Sequence, residues 1–144
     1  MKCTDLTVSF ADKTKKAKHL HNPNGIDRHK LDALLQQLDE IIYIGCDIDT
    51  SDEALRLEAE FSAEHTAFFG WCDYAIHEIW YYNNGSEDLG PVNHIINGCP
   101  QARLGCPQAR LLCRSPEEIA AIITHFCETG ERWPGCNWIC DDAI

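Results

Sequence analysis

From Leu31 to Trp80 apolar residues recur at intervals of three and four, and that periodicity predicts a mainly helical chain. Leu31, Leu34, Leu35, Leu38, Ile41 and Ile42 form one stripe over residues 28–44, with Asp27 placed to cap the start and Gly45 to end it. A rival reading stops that helix near Asp39 and makes Ile41–Ile44 a buried strand. Thr50-Ser51-Asp52-Glu53 has the pattern of a capping box, so a helix is expected after it. Ala54, Leu57 and Phe61 would form its apolar side. The spacing continues through Phe68, Trp71, Cys72, Ala75, Ile76, Ile79 and Trp80 to the stop at Asn83-Asn84-Gly85. One long helix, or two broken near His65–Gly70, would account for it.

Outside this stretch the signals are shorter. Leu6, Val8 and Phe10 alternate, which suggests a strand. Residues 12–25 are polar and lysine-rich and end in the turn-like His21-Asn22-Pro23-Asn24-Gly25. Pro91 can open a short helix to Asn97, with Gly98 as its stop. Ser115-Pro116-Glu117-Glu118 is a second capping box, followed by Ile119, Ile122, Ile123 and Phe126 on one face and Gly130 as the stop. Residues 98–104 and 105–111 are the same seven residues, Gly-Cys-Pro-Gln-Ala-Arg-Leu. Two units are too few for a solenoid, so they read as a tandem duplication in a connecting segment. The expected fold is one domain, a helical bundle of four or five helices. Residues 1–26 would be a basic arm or strand, 27–130 the helical core, and 131–144 an irregular Cys- and Trp-rich tail. The alternative is α+β, with short strands near Leu6–Phe10 and Ile41–Ile44.

Charge is distributed unevenly. The chain of 144 residues carries a formal charge of −11. Residues 31–102 hold fourteen acids against one base, Arg56, whereas residues 1–30 carry +4. Phosphate would be repelled by such a body, which argues against direct nucleic-acid binding and for a larger protein with a basic surface. No apolar run reaches the ~18 residues of a membrane span, and Met1–Phe10 has no secretory apolar core, so a cytoplasmic protein is expected. In a reducing compartment nine cysteines read as buried small apolar residues, metal ligands or reactive thiols rather than as a disulfide framework.

On the helix expected after Thr50, Glu53, Glu60 and Glu64 would share one face, with Asp47, Asp49 and Asp52 clustered at its entry. Tyr81 and Tyr82 would supply aromatic anchors beside them. These eight residues are the candidate partner-binding set. Asp32 and Asp39 would add a second row on the preceding helix. The competing reading is plain solvated charge that keeps the chain soluble.

Metal and catalytic patterns are partial. Cys136-x3-Cys140 has the spacing of half a zinc site, and His125 and Cys127 are candidates for the other half, although a helix turns them about 200° apart. His77-Glu78 begins like the zinc-protease motif, but Tyr81 stands where the second histidine belongs. Asp47-Ile48-Asp49-Thr50-Ser51 resembles the first motif of haloacid-dehalogenase-type phosphatases. That resemblance implies a nucleophilic Asp47, an acid/base Asp49, and Asp141-Asp142 as a magnesium-binding pair. No lysine follows Lys30, so the family's later lysine is missing. The window Asp47–Glu58 also resembles an EF-hand calcium loop at positions 1, 3 and 12, with Asp52 in place of the turn glycine. No phosphate loop, nucleophile elbow or dinucleotide fingerprint is present.

The sequence therefore points to a non-enzymatic, acidic protein-binding module without a cofactor. The sharper form is an inhibitor that works as a nucleic-acid mimic, by analogy of charge and size with the small acidic anti-restriction and anti-CRISPR proteins of phages and mobile elements. A zinc-stabilised adaptor and a magnesium-dependent phosphatase are the alternatives. The long apolar stripe would also suit a homodimer.

Overall fold

Alternation in steps of two, not the helical period, organises residues 41–83. The computed structural model describes residues 1–62, 64–90 and 108–143. In chain order the elements are β1 (Asp5–Phe10), β2 (Lys18–His21), α1 (Arg28–Leu35), β3 (Ile41–Asp49), β4 (Ala54–Phe61), β5 (Ala67–Asp73), β6 (Glu78–Asn83), β7 (Leu112–Cys113), α2 (Pro116–Thr129) and β8 (Asn137–Cys140). One antiparallel sheet of eight strands runs β2-β1-β3-β4-β5-β6-β8, and β7 pairs with β5. The expected helical bundle is therefore wrong: among the described residues the chain is mostly β, with two α-helices.

Strand β4 shows why. In Ala-Leu-Arg-Leu-Glu-Ala-Glu-Phe, Leu57, Ala59 and Phe61 are buried, and Arg56, Glu58 and Glu60 point the other way. Helical spacing collected Ala54, Leu57 and Phe61 but left Leu55 unused. The strand uses every second residue from Leu55 on. Strand β5 follows with Phe68, Phe69, Gly70 and Trp71, aromatics that pack well on a pleated surface around a glycine that weakens a helix.

The hydroxyl half of the first capping box does form, but it closes a hairpin, and the Glu53 carboxylate does not return to the Thr50 N–H. Thr50 Oγ1 accepts from the backbone N–H of Asp52 at 3.2 Å and of Glu53 at 3.1 Å, while the Thr50 N–H donates to the Glu53 carbonyl at 2.9 Å. The chain reverses there instead of coiling. Glu53 turns its carboxylate to Lys2 Nζ at 2.7 Å.

The second box starts a helix as expected. Ser115 Oγ accepts from the Glu118 N–H at 3.2 Å, Pro116 occupies the first turn, and Gly130 at φ 81° ends α2. Helix α1 starts behind its Asp27 cap and ends at Leu35, after which a 3-10 turn leads into β3. The rival reading of Ile41–Ile44 as a buried strand is the one observed, and Gly45 lies inside that strand rather than ending a helix. The strand expected near Leu6–Phe10 is β1. The tail is not wholly irregular, since β8 lies within it. The helix expected over 91–97 and residues 98–107 of the repeat lie outside the described residues; of the second unit, Ala109–Leu111 form a 3-10 turn.

Both helices cover one face of the sheet. Leu31 and Leu34 of α1 and Ile119, Ile122, Ile123 and Phe126 of α2 pack with Leu6, Val8, Ile44, Leu57 and Phe69 in one core. Each large apolar side chain buried there contributes about 1.5–3 kcal/mol. The apolar stripe once assigned to a helix is divided among four strands and largely enclosed. The opposite face of the sheet carries no helix among the described residues.

Candidate functional site

Register sets out the uncovered face in rows. His21, Asp5, Asp47, Arg56, Cys72 and Ile79 lie side by side across β2, β1, β3, β4, β5 and β6. Beside them run His19, Thr7, Gly45, Glu58, Gly70, Tyr81 and Ile139, and then Ser9, Tyr43, Glu60 and Phe68. Charge gathers over β1, β3 and β4, and apolar surface over β5, β6 and β8.

Arg56 is the centre of the charged half. Its Nη1 donates to both carboxylate oxygens of Asp47, at 3.1 and 3.2 Å, and its Nη2 donates to Tyr43 Oη. The Tyr43 hydroxyl donates to Glu58 Oε2 at 2.9 Å, and Arg56 Nε lies 3.4 Å from the same oxygen. Arg56, Tyr43 and Glu58, from two strands, thus close a ring over Gly45, and Asp47 is tied to it through Arg56. A Cβ there would meet Arg56 Nη2 at 2.8 Å, so any larger residue must push the ring aside.

Burial disfavours the Arg56 charge, but the bond to Tyr43 and the field of Asp47 outweigh it and raise the guanidinium pKa. Burial also pushes the Asp47 carboxyl up; Arg56 pulls it back and nearby Asp5 pushes it further. Asp5 differs. Burial would raise its pKa, but hydrogen bonds from His21 and Thr4 lower it. One Asp5 oxygen serves two histidines, 2.8 Å from His21 Nδ1 and 3.3 Å from His19 Nε2. A cleft of about 480 Å³ opens there, lined by Asp5, His19, Asp47, Asp49, Arg56 and Tyr74 among others.

The apolar half is formed by stacking. Phe68 and Tyr81 lie with ring centroids 5.5 Å apart at 60°. Tyr74, Ile76 and Ile79 are exposed at and beside the β5–β6 turn.

The structure divides the predicted binding set. Asp47, Glu60 and Tyr81 sit on the open face, and Asp49 lies at its margin at the end of β3. Asp52 and Glu53 occupy the β3–β4 turn and Glu64 the β4–β5 turn, so Glu53, Glu60 and Glu64 share no helix face. Asp32 is on α1, bonded to Arg28 at 2.9 Å, and Asp39 is in a 3-10 turn. The nucleic-acid mimic rested on carboxylate rows along helices. With those rows gone, the inhibitor and anti-CRISPR reading has no support. Tyr82 points into the core at 3 % exposure and donates to Glu118 Oε2 at 3.1 Å, so it is no surface anchor. Asp5, His19, His21, Tyr43 and Glu58 were missed. Reading β4 in steps of two would have exposed Arg56, Glu58 and Glu60 together.

The metal patterns do not converge. Cys127 is buried in the core beside Cys3, whereas Cys136 bonds to the Trp133 carbonyl and Cys140 ends β8. Among the described residues no group of three or more His, Cys, Asp or Glu is arranged to hold a metal ion. Asp47 and Asp49 do share the outer side of β3, as the phosphatase motif requires. Asp141 and Asp142 follow β8, with β4, β5 and β6 between, about 19 Å away at ordinary strand spacing. Asp47 is taken up by Arg56. The Asp47–Glu58 window is a β-hairpin in which Glu58 faces Arg56 rather than a calcium loop.

Comparison with family models, curated proteins and solved structures gives no match. No helix among the described residues is long and apolar enough to cross a membrane.

Proposed function

We propose that this protein is a non-enzymatic binding module that receives a basic protein partner on the open face of its sheet. One observation carries the reading. The uncovered face sets Asp5, Asp47, Asp49, Glu58 and Glu60 around a single arginine, and that arginine is already engaged by Asp47 and Glu58. The net negative field of this face would steer a basic surface toward it, and the adjoining Phe68, Tyr81 and Ile79 give it apolar contact area. The hydrogen-bonded ring around Arg56 keeps the face in one shape before a partner arrives, which lowers the ordering cost of association.

The test compares two triple charge reversals by affinity capture and titration at low and high salt. Asp49→Lys/Glu58→Lys/Glu60→Lys changes the face; Glu87→Lys/Glu117→Lys/Glu131→Lys makes the same charge change elsewhere. The face variant should lose a partner that the control keeps, with both folded by circular dichroism. Binding that ignores salt and survives the face variant refutes the proposal.

A further inference from the structure

Three buried cysteines meet behind the first strand. Cys3, Cys46 and Cys127 are each 0 % exposed and belong to one core cluster. The Cys3 N–H donates to the Cys127 carbonyl at 3.0 Å, and the next residue, Thr4, donates to the carbonyl of Asp47, the neighbour of Cys46, at 2.8 Å. Cys3 is therefore held between the last turn of α2 and the middle of β3. An N···O contact of that length, with one bond to the first Cα and two to the second, places the Cα atoms of Cys3 and Cys127 about 5–6 Å apart. That lies inside the range of about 4.4–6.8 Å that disulfide-bonded cysteines usually span.

We infer that Cys3 and Cys127 are an oxidation-sensitive pair that forms a disulfide, stapling the segment before β1 to the end of α2. The asymmetry among the thiols suits this. Hydrogen bonds from Cys127 and then Cys46 lower the Cys3 pKa, against the opposing effect of burial. Cys127 is raised, mainly by its bond to Cys3. Cys46 is raised as well, by its bonds to Cys127 and Cys3 and by complete burial. Cys3 Sγ donates to the Asp5 carbonyl at 3.2 Å in the closed state, so Cys3 becomes the attacking thiolate when local opening of its segment lets it ionise, and Cys127 holds its proton until it resolves the intermediate.

The oxidant is a low-molecular-weight disulfide such as oxidised glutathione. Cys3 S⁻ attacks one of its sulfurs, the S–S bond breaks, and one glutathione thiolate leaves. Cys127 then gives its proton to that thiolate, and its own sulfur attacks Cys3 Sγ. The mixed disulfide breaks and the second glutathione thiolate departs, taking a proton from water or buffer to replace the one Cys3 had lost. Two protein thiols have lost two electrons and glutathione disulfide has gained them. Access comes through local opening of residues 1–4, which the exposed Lys2–Glu53 pair and a few backbone bonds hold down.

The experiment equilibrates the whole protein in glutathione buffers of graded redox ratio, alkylates free thiols, and maps digested peptides by mass spectrometry. A peptide pair joined through Cys3 and Cys127 should accumulate, with a rise in Tm of roughly 5 °C or more for the oxidised form. Cys127→Ser should abolish the crosslink, and Cys46→Ala should leave it in place. If a variant fails to fold, the wild-type map decides. Cys3 and Cys127 both alkylated at every ratio, or bridged to other cysteines including Cys46, would overturn the inference.

Discussion

Arg56 lies across the backbone of Gly45: a Cβ built on that glycine would stand 2.8 Å from Arg56 Nη2 and 2.9 Å from Tyr43 Oη. Both atoms are far ends of side chains, so Gly45→Ala can be accommodated by pushing the ring aside. Its expected cost is about 1–2 kcal/mol, read from the denaturant midpoint at unchanged slope.

Gly130→Ala has no such way out. Gly130 has φ 81°, and its added Cβ would lie 2.9 Å from Leu55 Cδ1 and 3.2 Å from Ile48 Cδ1 in the core. Left-handed strain adds to crowding, so this variant should lose more stability than Gly45→Ala, by at least about 1 kcal/mol. Equal losses in the same assay would contradict the geometry.

Arg56→Met removes the cation that half-buried Asp47 depends on. The side chains of Arg56 and Asp47 are 27 % and 23 % exposed, so the loss at pH 7 should be about 2 kcal/mol rather than the larger cost of a fully buried pair. Adding Asp47→Asn to that variant should restore part of it, because the stranded carboxylate is then gone. A double-mutant cycle measures this directly.

Asp5 provides a pH test. Its carboxyl pKa is lowered in the folded protein, burial being outweighed by the hydrogen bonds from His21 and Thr4. A lowered folded pKa stabilises above the unfolded value and is lost as pH falls through the folded one. Asp5→Asn should therefore be less stable than wild type near neutral pH, by about 1 kcal/mol for a carboxylate held by neutral and histidine donors at the edge of the face. As pH falls below the ordinary aspartate range and through the lowered folded value, the two should converge. Urea midpoints across that range check it.

Tyr81 and Tyr82 are neighbours with opposite duties. Tyr82→Phe removes a buried bond to Glu118 and should cost about 1 kcal/mol of stability with partner affinity unchanged. Tyr81→Ala strips an aromatic from the open face and should weaken partner binding about tenfold or more.

How much of this was legible depended on whether two periods could be told apart. α2 was readable in full, since Ser115, Pro116, the Ile119–Phe126 stripe and Gly130 all agree on one helix. β1 was readable because Leu6, Val8 and Phe10 alternate without an apolar residue between them. β4 and β5 were not, because Ala54, Leu57 and Phe61, and then Phe68 and Trp71, also fall three and four residues apart. The Thr50–Glu53 pattern then tipped the choice, although a hydroxyl capping the backbone two and three residues on serves a hairpin as well as a helix. The site inherited the error. Asp47, Glu60 and Tyr81 were found by charge and residue type. Asp5, His19 and His21 join the site only through cross-strand register, which no local spacing reveals.

The strand order also bears on how the chain assembles. Strands β3 to β6 are neighbours in sequence and in space, joined by short reversals, so the middle of the sheet needs only local loop closure. The cover for its apolar face comes largely from α2, residues 116–129, which follow all four strands in the chain. An early hairpin array would thus expose Ile44, Leu57 and Phe69 until that helix docks. In that interval the molecule is most prone to self-association, and the rate of α2 docking sets how long it lasts.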